Sequence, residues 1–481
     1  MAEGIYHDGQ FIVEDLRLVT TTGLEVNLIN SVMGITLFED IFSMTVTGTI
    51  AIMDSVNLAS YGPLLGQEYL HLKIRTPFIN KDESATIDFS KNAFLVHSIS
   101  KRQKLSGGVQ GFVLSFVSQE LVKNQRLRVT QSLTASWSNI VKKMLTDKKY
   151  LNTKKRIDLE PTTGVKKFIA PNVRPLDIVV LGMKQAVAVY KGEPTYLFYE
   201  TLKGFNFRTL ASLYNNAPLM EYTTFVPGTN IIPDGQEGAG TIDVFKDLRT
   251  VLDYEIISNN DSIASYRTGM YGSKLIIHDI ISKSYQTEIY NYHDNWTNEA
   301  HIVSGVTEGI PDYPLVSHLS ITEEGLRVSD FPSRTFLMPT SLSGGVDSQH
   351  TTENNTNPYM AYDPHKWLQR RNSQMIQLDN ALQVNIVVHG NTLVNAGDKV
   401  LINLPYTAVV RSPKNERVDK FYKGPFLIKR IRHDFIMTSS PRRHRMYMSL
   451  VKDSLEEELI DTGPPEPSAD TAVKPEEYTY N

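Results

Sequence analysis

The chain has 481 residues, with 49 Lys and Arg against 53 Asp and Glu, a formal charge of -4, and no cysteine. Lack of cysteine excludes disulfides, thiolate nucleophiles and every cysteine-based zinc or iron–sulfur site. The near-balanced charge gives no overall footprint for tight nucleic-acid binding, and no apolar run approaches the roughly 18 residues of a membrane-spanning helix. Two or three domains are expected at this length. The opening residues, MAEGIYHDGQ, lack a basic segment followed by an apolar one, so no secretory signal is read there and assembly in cytoplasm is expected.

From Phe11 to about Leu121, short runs rich in Val, Ile, Thr, Phe and Tyr alternate with Gly, Pro, Asn and Asp, which predicts a first all-β domain over residues 1–121. Tyr69, His71, Lys73 and Arg75 alternate with Leu70, Leu72 and Ile74, so one face of that strand is destined for a core. Character changes over residues 122–240. Trp137, Ile140, Val141, Met144 and Leu145 fall at helical spacing behind Ser136, an N-cap residue, and Pro175 opens a second helical run from Leu176 to Val187. Tyr196–Tyr199 and Phe205–Phe207 flank Lys203 and Gly204 as a hairpin, making this stretch an inserted α+β domain.

Strand patterning resumes through Lys274–Ile277 and Ser284–Tyr292, and a second β domain is expected to be split between 241–300 and 366–455. Residues 301–365, polar and turn-rich, are expected to form an extended loop or lid. A helix is predicted from Trp367 to Ala381, then strands to Val451, then a flexible acidic tail over 456–481.

The two β regions share an order of segments. Gly66–Leu72 aligns with Gly397–Asn403, Phe94–Ile99 with Phe426–Ile431, and Leu114–Val117 with Met448–Val451. Chance periodicity can align any two strands, but three matches in one order argue for a duplication. The fold expected is therefore mostly β, with an inserted α+β unit and two related β-barrel-like domains. Three copies of such a chain would set six similar domains around one axis.

Gly34–Ser43 with Val46–Asp54, Arg126–Thr130 before the helix at Ser136, Tyr196–Glu200 before Gly204–Arg208, Gly269–Lys274, and Gly397–Asp398 together resemble the baseplate hub of contractile-tailed, T-even-like bacteriophages. The resemblance covers most of residues 10 to 455 and rests on the order of these segments. It implies a homotrimer whose two tube domains per chain form a pseudo-hexameric ring in the virion tail. One face would accept the tail tube protein and the other the central spike protein, with baseplate wedge proteins around it. DNA would pass through a neutral to acidic channel without specific binding. The stretch 300–365 and the acidic tail depart most from that pattern.

No enzyme and no cofactor is expected. His278-Asp279, His293-Asp294 and His433-Asp434 lie in or beside predicted strands, where adjacent side chains point to opposite faces and cannot easily chelate one ion. Glu39-Asp40 and Glu456–Glu458 do not set two carboxyls across a cleft as a glycosidase needs. Gly107 and Gly108 read as a hairpin turn, not a phosphate cradle. Candidate interface residues are Phe38, Ile41 and Phe42, apolar anchors if exposed, and Arg442, Arg443 and Arg445, the basic cluster after Pro441. For the first three, packing within their own domain is the alternative; for the arginines, a charged turn between strands. A receptor- or polysaccharide-binding tail protein and a wall-degrading enzyme are the rival functions.

Overall fold

The computed structural model describes residues 7, 9–62, 64–77, 86–224, 244–258, 261–280, 283–303, 312–315, 326–340, 364–405 and 418–458. The protein is mostly β, 47% strand and 21% helix, so sheets carry the architecture.

The first β domain contains β1 (Ile12–Val19), β2 (Glu25–Asn27), β3 (Val32–Asp40), β4 (Thr47–Asp54), α1 (Leu58–Tyr61), β5 (Tyr69–Arg75), β6 (Thr86–Asp88), β7 (Phe94–Lys104) and β8 (Gln110–Ser118). Its strands run in the order β1-β5-β7-β8-β4-β3, every pair antiparallel. Leu16, Leu37, Ile50, Leu72, Phe94, Leu114 and Phe116 alternate inward and close one core. The turn between β7 and β8 holds Gly107 and Gly108, both at positive φ, as the sequence predicted.

The α+β unit follows with α2 (Gln119–Arg126), β9 (Ser132–Ala135), α3 (Trp137–Thr146), β10 (Ile157–Leu159), β11 (Lys166–Ile169), α4 (Pro175–Gln185), β12 (Tyr196–Thr201), β13 (Gly204–Thr209) and α5 (Leu210–Tyr214). The Ser136 hydroxyl accepts the Asn139 N–H at 3.4 Å and caps α3, while Pro175 starts α4 at its first position. The apolar stripes of these helices pack with Phe198, Phe205 and Phe207 from the predicted hairpin.

β14 (Met220–Thr224), α6 (Val244–Leu248) and β15 (Thr250–Ser258) enter the second β domain. The chain then leaves it for a separate three-stranded sheet: after α7 (Ser262–Thr268) come β16 (Gly272–Asp279), β17 (Ser284–Asn291), α8 (Tyr292–Asn295), β18 (Tyr313–Pro314) and β19 (Arg334–Thr340), with sheet order β17-β16-β19. The strands of 272–291, expected in the second barrel, thus form their own sheet; β19 lies parallel on β16, where β20 could not also pair. Most of the expected lid, including 341–363, lies outside the described residues, as does the tail from 459.

The return runs through α9 (Leu368–Asn380), β20 (Leu382–His389), β21 (Lys399–Pro405), β22 (Val418–Ile436), β23 (Arg443–Lys452) and β24 (Ser454–Leu455). Here six strands close on themselves in the cycle β14-β21-β22-β23-β20-β15. Val384, Ile386, Val400, Ile402, Phe426, Ile428, Met448 and Leu450 fill this barrel.

The two barrels repeat one another strand for strand over β5-β7-β8-β4-β3 and β21-β22-β23-β20-β15. The likeness reaches the register: Val96 faces Phe116 and Ile428 faces Leu450, then a bulge follows, and Ser98 faces Ser115 as Arg430 faces Ser449. The three aligned sequence segments are β5/β21, β7/β22 and β8/β23. One of them shifts by a residue. Leu70 opposes Phe94 and Val400 opposes Phe426, so Leu70 matches Val400 and not Leu401; the side-chain alternation of period two fixes this.

Candidate assembly interface

The two barrels are welded into one 14-stranded sheet by β3 and the distal half of β22. Seven antiparallel pairs run from Arg430 opposite Asp40 to Ile436 opposite Gly34, and the Ile41 and Met437 N–H groups extend the ladder to Lys429 and Met33 carbonyls. An ion pair of 2.6 Å joins Arg430 to Asp40. This joint forms because β22 is 19 residues long: its first half pairs β21, and the remainder projects past that barrel as a free edge.

The duplication implies a second edge of each kind. β15 is the counterpart of β3, and from Leu252 to Ser258 it has β20 on one side and, among the described residues, no strand on the other. Leu252, Ile256 and Ile257 on it are 43%, 41% and 49% exposed, unusual for a solvated edge. β7 is the counterpart of β22. Past Val96 it has only β8, so Ser98 to Lys104 lies open on its other side among the described residues. One edge carries Asp253 and Glu255, the other Lys101, Arg102 and Lys104.

Beside the joint, Phe38, Asp40, Asp253, Glu255, Val387, Arg430, Arg432 and Tyr447 line a cleft of ≈ 410 Å³ on the outer face of the continuous sheet. Arg432 stacks over Tyr447, 4.1 Å from its ring centroid. The same transverse row reads Thr36, Thr49, Ser115, Ser98 on the first barrel and Glu255, Asn385, Ser449, Arg430 on the second.

Among the residues singled out from sequence, Phe38 and Phe42 remain exposed, Phe42 beneath the Lys429 ammonium. Ile41 does not: it is buried among Leu197, Tyr199, Leu210 and Leu427, where it pins the α+β unit to the joint. Arg442 is exposed in the β22–β23 turn, and Arg443 and Arg445 are half-buried at the start of β23, opposite Ile436 and Asp434. The structure thus gathers Phe38 and Phe42 at one end of the β3–β22 ladder and the arginines at the other.

Sequence inspection passed over the polar anchors. Glu39 is buried and accepts the N–H groups of Leu202 at 2.9 Å and Ala396 at 2.7 Å, tying the first barrel to the α+β hairpin and the second barrel; burial pushes its pKa up to about 8. Lys155 sits between Glu120 (2.9 Å) and Glu200 (2.6 Å). Glu200 also accepts the Val46 N–H and the Ser118 hydroxyl, so this buried triad fastens the same unit to the first barrel. Burial opposes the charge on Lys155, and the two carboxylates outweigh it, holding the ammonium above its usual pKa. Only the long-range contacts distinguish these residues from surface charges; nothing in their local sequence does.

His433 and His444 form a buried pair, 3.1 Å between ring nitrogens, stacked on Phe435. Asp434 points away, to Arg432, and Asp279 is buried while His278 is exposed. Among the described residues no group of three or more His, Asp or Glu is placed to hold a metal ion, and no helix is long and apolar enough to cross a membrane.

The fold and its edges define a class: a duplicated-barrel protein with one joint made and the halves of a second left open. No protein-family model and no curated protein matches the chain. Among solved structures it is similar to a 43 kDa tail protein of prophage MuSo2 from Shewanella oneidensis (11% identity, 91% of this chain and 98% of that one, TM-score 0.46). It is similar also to a tail protein from Neisseria meningitidis MC58 (8% identity, 91% and 96%, TM-score 0.45). A third is an Escherichia coli type VI secretion component described as resembling T4 tail proteins (8% identity, 92% and 76%, TM-score 0.38).

Proposed function

We propose that the chain is a structural, non-catalytic hub of a contractile phage tail, a trimeric ring of six barrels that joins the tail tube to the central spike and surrounds the DNA exit channel. The observation that carries this is the repeated joint. Within the chain, β3 pairs β22; between copies, β15 of one would pair β7 of the next in the same antiparallel sense. Such a contact is heterologous, uses one free edge of each kind per copy, and leaves none over once the ring closes. Three copies, the number implied by the family resemblance, alternate made and repeated joints around a pseudo-sixfold axis. Each interchain joint sets Asp253 and Glu255 against Lys101, Arg102 and Lys104, a complementarity that also fixes register.

The outer face of the sheet, with its row of Thr36, Thr49, Ser115 and Ser98, would line the channel. Short hydroxyl side chains there offer phosphates no strong cationic contact, and Arg430 and Arg432 of the second barrel are offset by Asp253, Glu255 and Asp434 beside them and by Asp40 across the joint. Tail tube, spike and wedge proteins would be the partners of the ring's faces and rim, with Phe38, Phe42 and Arg442 among the side chains available to them.

Because the chain has no cysteine, a pair introduced by mutation reports one contact. Counted along β7 and β15, Ser100 and Ile257 stand where Arg432 and Phe38 do, Ile257 at the bulge of β15; Arg432 and Phe38 face each other in the intrachain joint. Oxidised Ser100→Cys/Ile257→Cys protein should give covalent dimers and closed trimers, with neither single variant passing beyond dimer. Protein that stays monomeric on oxidation at assembling concentration overturns the ring. A glycan-binding reading has one observation in its favour, the exposed Tyr285, Ile289 and Leu337 on the small sheet, and predicts retention on polysaccharide columns that Tyr285→Ala abolishes.

A further inference from the structure

The net charge of -4 conceals a strong internal separation. Residues 122–214, the α+β unit, hold 17 Lys and Arg against 6 Asp and Glu. Nine of those cations fall between Lys142 and Lys167, a larger basic region than the Arg442–Arg445 cluster. Lys142, Lys143, Lys148, Lys149, Lys154 and Lys167 are exposed, and among the described residues none makes an ion pair. They lie on α3, the turn after it and β11, elements that pack on one another through Leu133, Trp137, Ile140 and Phe168. A domain carrying that excess of uncompensated charge repels itself unless an anion covers it.

The chain carries a complementary segment. Residues 456–481 hold 8 acids and 1 Lys; Glu456 and Glu457 pair with Lys423 and Lys420, and five acids follow from Asp461 onward. Their root is close to the basic unit: the Asp453 carbonyl accepts from Gln377 near the end of α9, while Arg370 and Arg371, two turns earlier, bond Glu193 and the Tyr196 carbonyl. That separation is about 10 Å along the helix. The 23 residues from Leu459 onward span up to about 75 Å when extended, enough to cross a unit of this size. We propose that the acidic C-terminal segment docks across the Lys142–Lys167 face of its own chain, an electrostatic strap held by tethering. A tethered segment acts at an effective concentration of order mM, so a few screened charge pairs suffice. The strap goes beyond the ring assignment and does not depend on it.

Zero-length carbodiimide coupling of the full chain at low salt, read by peptide mass spectrometry, tests this. Asp461, Glu466, Asp470, Glu476 and Glu477 should couple to Lys142, Lys143, Lys148, Lys149, Lys154 or Lys167. The yield should fall at least tenfold in 0.5 M NaCl, an arm that needs no variant. Lys148→Glu/Lys149→Glu/Lys154→Glu protein with unchanged circular dichroism should lose it equally. Coupling confined to Lys420 and Lys423 beside the root, or a yield indifferent to salt, overturns the strap. So does the absence of these couplings in a chain that retains a 20-base-pair DNA duplex at 150 mM NaCl, which would assign the face to nucleic acid.

Discussion

The two barrels share five strands and part at the sixth. In the first, β1 lies antiparallel to β5; in the second, β14 fills the same slot but lies parallel to β21 and to β15. The difference follows from where the chain comes from. β14 arrives from the α+β unit and lies parallel to β15, a pairing that no tight hairpin can make. The second barrel thereby closes, whereas β1 turns back on itself to pair β2, and the seam between β1 and β3 carries no ladder. Five shared strands therefore carry the joint and its open counterparts, and the sixth sets how each barrel is sealed.

The largest expected effect tests how the less sealed barrel is held. The Lys155 triad buttresses the first barrel; the second packs on α9, where Leu378 shares a core with Leu427 and Val451 and Lys429 pairs with Asp379 at 2.8 Å. Lys155→Met leaves Glu120 and Glu200 buried together without a counterion and should cost about 3–5 kcal/mol. Urea unfolding should show that loss, with most of it recovered when Glu120→Gln and Glu200→Gln are added. A loss under about 1 kcal/mol would mean that the triad is not what holds the α+β unit to the barrel.

Next is acid. His433 and His444 belong to the projecting part of β22 and β23; the corresponding stretch of β7, around Lys101 and Arg102, is exposed. Burial pushes His433 down to about 3 and holds His444 well below its usual value, His433 adding to the latter. The unfolded chain binds these protons near pH 6.5 and the folded one does not, so stability is full above 6.5 and falls as pH drops toward 3. At pH 5 His433 alone accounts for about 2 kcal/mol. His433→Gln should flatten the acid limb of a melting-temperature profile; an unchanged limb would place the acid sensitivity elsewhere.

The shared strands were readable because their signals are local. Alternation in Tyr69–Arg75, the glycines at 66 and 397, and the Phe94/Phe426 runs are written in each segment, and Ser136 and Pro175 announce their helices. What escaped was relational. The one-residue slip between Leu70 and Val400 needs the opposing strand; the separate sheet of β16, β17 and β19 needs a partner that arrives 43 residues later, at Arg334. The direction of β14 needs its partner β15. Ile41 could be read as an anchor or as core of its own domain, because Leu197 and Leu427, which cover it, are far away in sequence. The joint itself required knowing that β22 outruns β21.

A smaller effect exchanges packing between the barrels. Gly48 opposes Phe116 where Val384 opposes Leu450, a small–large pair against a medium–medium one. A Cβ on Gly48 would meet the Phe116 ring at 2.4 Å and the Thr36 carbonyl oxygen at 2.7 Å. Gly48→Val should cost about 1–3 kcal/mol. Adding Phe116→Leu should return only part, because the Thr36 backbone cannot move aside as a ring can. Full rescue in urea unfolding would show that the first barrel is more deformable than its antiparallel β1 side implies.

The smallest expected change lies at the joint. Arg430 and Asp40 are 58% and 24% exposed in their side chains, and exposed pairs contribute about 0.2–1 kcal/mol. Arg430→Ala should barely shift the unfolding midpoint, since seven ladder pairs and chain connectivity hold β3 on β22. In the proposed interchain joint, Asp253 and Glu255 against Lys101, Arg102 and Lys104 would act under different conditions. There no connectivity supplies the partner strand, so charge governs encounter, and Arg102→Glu should slow Ser100–Ile257 cross-linking several-fold at low salt while leaving the fold intact. Salt should erase the difference. If Arg102→Glu cross-links at the parent rate in low salt, β15 and β7 meet without their charges, and the interchain joint is not the electrostatic copy of the one inside the chain.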